Sequence, residues 1–446
     1  MQRVQKLTPT KTILLGYCFI ILLGTLLLLL PAATRPTAST SFLDALFTAT
    51  SATCVTGLVR FDTFAHWTLF GQSVILALIQ IGGIGFMTFA ISLVSLTKRK
   101  IGLSQRFIMQ QSVAAPHVGG IVRLTKFILW GTLLVEGLGT LLLSFTFCPL
   151  LGFWRGLYFS LFHAVSAFCN AGFDLMGVRQ ELSSLTGMSG DFYVNIVIMA
   201  LIVIGGLGFF VWSDVLQCRF RLKELKLHTK LVLTVTLLLI VLGAALIFVF
   251  EQGGSAFAGR PVSEQALIAA FQSVSPRTAG FNTVDLSAMT QASQMLMICL
   301  MFIGGSPGST AGGVKTTTVS MLFLSVLSTF RQKKSLTCYR RRIDDETMRT
   351  AACVFTMYGV LVLAATLLIA KVEALPIHTV LFETVSAIGT VGLSLGVTPQ
   401  LGALSQLTII LLMIFGRVGS ITILFAFASE HPVVQSQMPL EKVQIG

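Results

Sequence analysis

Long apolar runs alternate with short ones along this chain, and polar or basic breaks separate them in a fixed order. The long runs reach about 20 residues, enough to cross a bilayer as helices. Each short run lies between two long ones and is too brief to span. The pattern reads as four units. Unit one (residues 1–100) has an outer helix near 12–33, a short segment at 41–58 and an inner helix near 69–96. Unit two (101–226) repeats this at 124–147, 156–173 and 192–216. Unit three (227–342) has 230–250, 263–281 and an inner segment at 292–330. Unit four (343–446) has 348–371, 377–393 and 403–428, followed by a short tail. The predicted fold is an all-α polytopic membrane protein with eight transmembrane helices and four re-entrant loops around a pseudo-fourfold axis.

The short segments are related in sequence. They read FTATSATCVTGL from residue 47, FHAVSAFCNAGF from 162, FQSVSPRTAGF from 271 and FETVSAIGTVGL from 382. A glycine follows the opening Phe by ten residues in three copies and by nine in the third: Gly57, Gly172, Gly280 and Gly392. A second motif lies on each inner helix, beginning 25, 33, 24 and 24 residues after that glycine: Gly82-Gly83-Ile84-Gly85, Gly205-Gly206-Leu207-Gly208, Gly304-Gly305-Ser306-Pro307-Gly308 and Gly416-Arg417-Val418-Gly419. Two motifs recurring in one order at similar spacing point to an internal repeat of the kind transport folds use. Extra sequence near 174–190 accounts for the long second interval.

Composition agrees. Hydrophobic residues make up 54% of the chain and charged residues 11%, with a mean hydropathy of +0.85. The net charge of +13 suggests nucleic acid until the basic residues are placed. Seven (Arg35, Arg60, Arg155, Arg179, Arg260, Arg277, Lys371) fall on the loop-bearing side and two (Lys315, Arg417) inside predicted spans, which leaves 22 of the 31 on the side holding both termini. The positive-inside rule therefore puts both termini in the cytoplasm and brings the loops in from outside. The first apolar run follows Arg3, Lys6 and Lys11 and is read as a retained span, since the repeat needs it. The eight cysteines are scattered with no CxxC pair, so neither a disulfide framework nor a metal cluster is signalled.

Non-helical backbone at membrane depth is tolerated where it is buried or lines an aqueous path. Four such segments around an axis would form rings of backbone carbonyls, the construction of a cation selectivity filter. The expected filter residues are Thr53, Cys54, Val55, Thr56 and Gly57; Cys169, Asn170, Ala171 and Gly172; Thr278, Ala279 and Gly280; and Thr390, Val391 and Gly392. The ion would sit at the carbonyls near Thr56, Ala171, Ala279 and Val391. Oxygen ligands without a carboxylate ring suit a monovalent cation rather than Ca²⁺.

Unit three carries Gly304-Gly305-Ser306-Pro307-Gly308-Ser309-Thr310-Ala311-Gly312-Gly313 where a helix should cross. Proline costs about 3 kcal/mol in a helix interior and glycine about 1, so the helix breaks there and the loop is a candidate gate. Arg417 replaces a motif glycine at the same depth and is expected to touch that loop. Lys315 either serves the loop or snorkels. Arg277 is expected behind the third segment as a scaffold, hydrogen-bonded to carbonyls, with Glu383 or Asp44 as its partner. The run Gly304–Gly308 also matches GxSxG, but a serine nucleophile needs a base within reach. None of the histidines (66, 117, 163, 228, 378, 431) falls at the predicted depth of Ser306, which argues against a hydrolase.

These segments, the glycine-rich break and the arginine resemble the Trk/Ktr/HKT superfamily of potassium transporters, and the short loops and tails are most similar to KtrB-type membrane subunits. The resemblance implies four M1–P–M2 units around one K⁺ pathway in a bacterial plasma membrane. It also implies a homodimer, and a cytosolic ring of KtrA-type nucleotide-binding subunits on which ATP or ADP would act, with no cofactor in this chain. Transport is Na⁺-dependent in many members. A serine in place of the first filter glycine accompanies Na⁺ selectivity there, so Gly57 implies K⁺. Coupled Na⁺/K⁺ or H⁺/K⁺ symport on the same fold is the alternative.

Overall fold

The computed structural model describes residues 8–36, 38–85, 102–112, 119–333, 335–419 and 423. The architecture is helical, and among the described residues the only strands are a short hairpin pairing Thr337–Cys338 with Arg341–Arg342. Four long helices, α1 (Pro9–Leu28), α6 (Ile121–Leu151), α10 (Leu227–Phe250) and α14 (Asp345–Glu373), are apolar and long enough to cross a membrane. Their outward faces carry exposed Phe19, Trp130, Phe145, Leu237 and Leu367. A large exposed apolar surface has a partner in hydrocarbon rather than water.

The short segments form helices of 12–16 residues: α2 (Phe42–Thr53), α7 (Phe153–Phe168), α11 (Val262–Val274) and α15 (Ile377–Gly389). At 1.5 Å per residue they reach roughly 18–24 Å, short of a span. Each is held by its opening phenylalanine: Phe47, Phe162, Phe271 and Phe382 are all fully buried. Ser41 and Asp44 start α2 with reciprocal side-chain and backbone hydrogen bonds, which satisfy two orphan donors of its first turn.

The inner helices are α4 (Leu69–Ile84), α8 (Phe192–Leu207), α12 (Gln291–Phe302) and α16 (Ala403–Val418). The sequence places a break in unit three alone, but the structure breaks unit two as well. Helix α8 stops at Gly208 and a further helix, α9 (Phe209–Gln217), leaves at 90°. Unit three resumes as α13 (Thr316–Phe330). A motif glycine stands at three of the helix ends. Gly85, Gly208 and Gly419 follow α4, α8 and α16 at positive φ, between 88° and 97°, which glycine adopts at little cost; Gly308, at 67°, lies within the loop that follows α12. The expected continuations of the inner helices of units one and four, and the polar tail, lie outside the described residues.

Three of the inner helices rest on a short one through a motif glycine. A methyl group built on Gly82, Gly205 or Gly416 would strike the carbonyl oxygen of Thr53, Phe168 or Ile388, respectively. Backbones approach this closely only where the residue is glycine.

Candidate pore and its intramembrane loop

After each short helix the chain turns back through matching geometry. The residue two before the glycine has positive φ in all four copies: Val55 (57°), Asn170 (59°), Thr278 (76°) and Thr390 (51°). The glycines follow at 87°, 70°, 79° and 92°. Left-handed backbone at non-glycine residues is sparsely populated and persists only where its surroundings impose it.

A hydrogen bond missed in the sequence imposes it here. The amide of the residue before each glycine donates to a serine carbonyl: Thr56 to Ser51 (2.8 Å), Ala171 to Ser166 (2.7 Å), Ala279 to Ser275 (2.9 Å) and Val391 to Ser386 (2.8 Å). The Ser51 and Ser386 hydroxyls also accept from the Gly57 and Gly392 amides, at 3.1 Å each. The Ser275 hydroxyl donates to the Phe281 carbonyl. The signal was present: a serine stands four residues after the opening phenylalanine in every copy.

The four glycines close a ring. A methyl group on Gly57 would meet the Ala171 oxygen, with Gly172 Cα at 3.1 Å; one on Gly172 would meet the Ala279 oxygen at 2.8 Å, with Gly280 Cα at 2.9 Å. From Gly280 the contact is the Val391 oxygen at 2.5 Å, and from Gly392 the Thr56 oxygen. The carbonyls of Thr56, Ala171, Ala279 and Val391 therefore lie each against the next segment's glycine. Asn170 and Thr278 join neighbouring segments by a 3.1 Å side-chain hydrogen bond. The buried hydroxyls of Thr53, Thr56 and Thr390 make no hydrogen bond to the described protein. Cys54 is buried beside them.

On one side the ring opens to a cavity of about 510 Å³ lined by all four glycines and by Asp62, Asp174, Glu181, Asp285 and Arg260. Burial pushes the Asp174 carboxyl up to about 7; the Met176 amide opposes this and the nearby Asp62 charge adds to it. The 174–190 segment is tied across this mouth. The Leu182 amide donates to Asp62 Oδ2 (2.9 Å), and the Leu185 amide to the Asn282 carbonyl (3.0 Å).

On the other side lies the unit-three loop, residues 303–315. It is pinned by its neighbours. The Ser306 and Thr310 amides donate to the Gly206 and Gly205 carbonyls (3.1 and 3.3 Å), and the Gly313 amide donates to Gly416 (3.3 Å). The Gly308 carbonyl accepts from the Phe209 amide, at the unit-two break (2.7 Å). Gly304 and Gly305 bond to Val314 and Thr316, joining the loop's two ends. Ser309 Oγ donates to the Ser306 carbonyl and to no other group. Ala311, Gly312 and the half-buried Pro307 complete the loop, and a methyl group on Gly312 would meet the Thr390 hydroxyl. Arg417 lies where the sequence places it. Nη1 donates to the Thr310 carbonyl, and Nη2 to Gly82 and, at 3.1 Å, to Gly83. Lys315 does not snorkel: Nζ donates to the Ala311 (2.8 Å) and Gly312 (3.3 Å) carbonyls. Ser306 Oγ faces Thr316 Oγ1 at 3.2 Å, a partner that supplies no base.

The expected partners of Arg277 are corrected. Its Nη2 donates to Thr236 Oγ1 on α10 (3.1 Å), not to filter carbonyls. Asp44 pairs instead with Arg60 at 2.9 Å. Glu383 is taken by its own unit, accepting from Ser394, the Leu395 amide and Thr398. Each group finds its partner within its own repeat, on the outer helix or the return segment.

A helical membrane scaffold with four backbone turns in a ring, a mouth on one side and a pinned loop on the other, defines a cation-transport protein rather than an enzyme. The model of the family "TrkH: Cation transport protein" matches residues 18–437, and the chain belongs to that family. It is 39% identical to the potassium/sodium uptake protein NtpJ of Enterococcus hirae, over 100% of this chain and 99% of that one. It is 40% identical to the Ktr system potassium uptake protein B of Bacillus subtilis, over 95% of this chain and 94% of that one. In structure it is similar to the potassium transporter TrkH from Vibrio parahaemolyticus, with a TM-score of 0.76 at 16% identity, covering 96% of this chain and 86% of that one.

Proposed function

We propose that this chain is the K⁺-conducting membrane subunit of a bacterial potassium uptake system. The observation that carries the reading is the closed ring of Gly57, Gly172, Gly280 and Gly392, with the carbonyls of Thr56, Ala171, Ala279 and Val391 set against it. K⁺ sheds water into these carbonyls after entering from the acidic mouth. The 303–315 loop gates the path below, held across it by Arg417 and braced by Lys315. Both termini are cytoplasmic, in agreement with the positive-inside count. A homodimer and a cytosolic nucleotide-binding ring that responds to ATP or ADP follow from the Ktr-type resemblance, supported by relatives whose names place them in a Ktr system. Na⁺ acts as an activating ion; the name of the Enterococcus relative includes sodium. The transport is channel-like, driven by the ion gradients.

The test is ⁸⁶Rb⁺ uptake into proteoliposomes, parent against Gly57→Ser, in K⁺ and Na⁺ media. The parent prefers K⁺ and Rb⁺ over Na⁺, and the variant loses that preference. A parent that passes no cation, even with a candidate cytosolic partner and ATP, would falsify the reading. Unchanged selectivity in the variant removes Gly57 from the filter.

A further inference from the structure

One buried acid takes no part in the scheme above. Glu136 stands at the centre of α6, 15 residues from either end of Ile121–Leu151, which is roughly 22 Å from each end at 1.5 Å per residue. Its residue is 4% exposed. Gln80 Nε2 on α4 donates to Oε2 at 2.9 Å, and Cys169 Sγ lies 3.6 Å from Oε1. Cys169 ends the second short helix and immediately precedes Asn170, the first left-handed residue of that return segment. Glu136 therefore touches the second segment from behind.

Among the described residues no Lys or Arg nitrogen lies within 4 Å of this carboxyl. Arg417 reaches this neighbourhood only through intermediates: it bonds to the Gly83 carbonyl, and Gly83 packs on Cys169 Sγ. Behind the third segment Arg277 turns to Thr236. Of the titratable groups of α7 and α8, His163 pairs with the Phe159 carbonyl and Tyr193 with the Leu142 carbonyl, Arg155 lies over Phe64 and Phe159, and Tyr158 packs on the Phe162 ring. Arg106 on α5 (Leu103–Ser112) is exposed. A carboxylate at mid-membrane without a cation is unfavourable, and such a group takes up a proton instead. Both oxygens accept, Oε2 from the Gln80 amide and Oε1 from the Cys169 thiol, and these two contacts fix the carboxyl against the second segment.

We infer that Glu136 is an intramembrane proton-binding site hydrogen-bonded to the second filter segment through Cys169. Only the word filter rests on the pore reading; the test below reads a bond and not a flux, so either can fail alone. The measurement is infrared spectroscopy of the full-length protein in lipid bilayers at neutral pH, with its glutamates ¹³C-labelled. The parent shows a protonated glutamic acid C=O band that Glu136→Gln lacks. Glu136→Asp, a gentler change, loses the same labelled band. Cys169→Ala shifts the band, since one hydrogen bond to the carboxyl is gone. Identical labelled bands in the parent and both Glu136 variants overturn the site. A Glu136 band that Cys169→Ala leaves in place overturns its coupling to the segment.

Discussion

The most constrained residues are those whose side chains would have nowhere to go. Gly57 combines a φ of 87° with a neighbour's carbonyl where a Cβ would sit, so any substitution must move the ring and not only fill space. The serines four residues after each Phe act oppositely, by holding what they touch. Ser51→Ala and Ser386→Ala each strip an amide, buried at Gly57 and half-buried at Gly392, of its side-chain acceptor. An unsatisfied buried donor costs about 1–3 kcal/mol. Each variant should lower the thermal midpoint in detergent, with a larger loss in K⁺ than in choline if the amide supports the ion site.

Asp174 gives a prediction with a definite sign. Its folded pKa, about 7, lies above that of a free carboxyl. The contribution of the neutral acid to stability is complete below the unfolded value near 4 and is lost as pH rises through about 7. Over the same interval the mouth gains a negative charge. Raising the pH on the mouth side from 6 to 8 should therefore lower the KM for Rb⁺ while softening the fold. Asp174→Asn should flatten both profiles; an unchanged pH profile in that variant assigns the effect to another group.

Among the elements, the short helices were legible because the repeat is written in residue types with one steric solution each: a buried Phe, a serine and a glycine. The bend of unit two was not. Gly205-Gly206-Leu207-Gly208 reads as a packing motif on an unbroken helix. What holds it is tertiary: the Phe209 amide donates to the Gly308 carbonyl, and the Gly206 carbonyl accepts from the Ser306 amide, both in the unit-three loop, and that contact has no trace in local sequence. The partner of Arg277 escaped for the same reason, since periodicity places a residue on a face but does not say which hydroxyl faces it. The loop itself was readable from its glycines and proline, though its tethers were not. Arg417 spans the loop and α4 with three carbonyl contacts. Removing them in Arg417→Ala should raise partner-independent Rb⁺ flux by about tenfold, the factor that corresponds to roughly 1.4 kcal/mol of lost closed-state preference. Flux equal to or below the parent's would show that the arginine does not hold the loop shut.

At the scale of the molecule, a belt of exposed apolar side chains surrounds a polar axis, which is the arrangement a bilayer demands. A second copy is expected on part of that belt. Light scattering of the purified protein in detergent, with the micelle contribution subtracted, should give twice the 48.1 kDa of one chain, and a monomer mass would remove the dimer. The ring of four segments is drawn from one polypeptide, and this has a consequence for how such a pore changes over time. Where four identical subunits surround a path, every substitution arrives fourfold, and a mildly harmful one is tolerated nowhere. Here a substitution alters a single quadrant while the three other turns keep their geometry. An arginine enters once, a proline once, a left-handed asparagine once. Ancestral symmetry can thus erode by quarters, each step small enough to survive, until the four sides of one conduit have separate occupations.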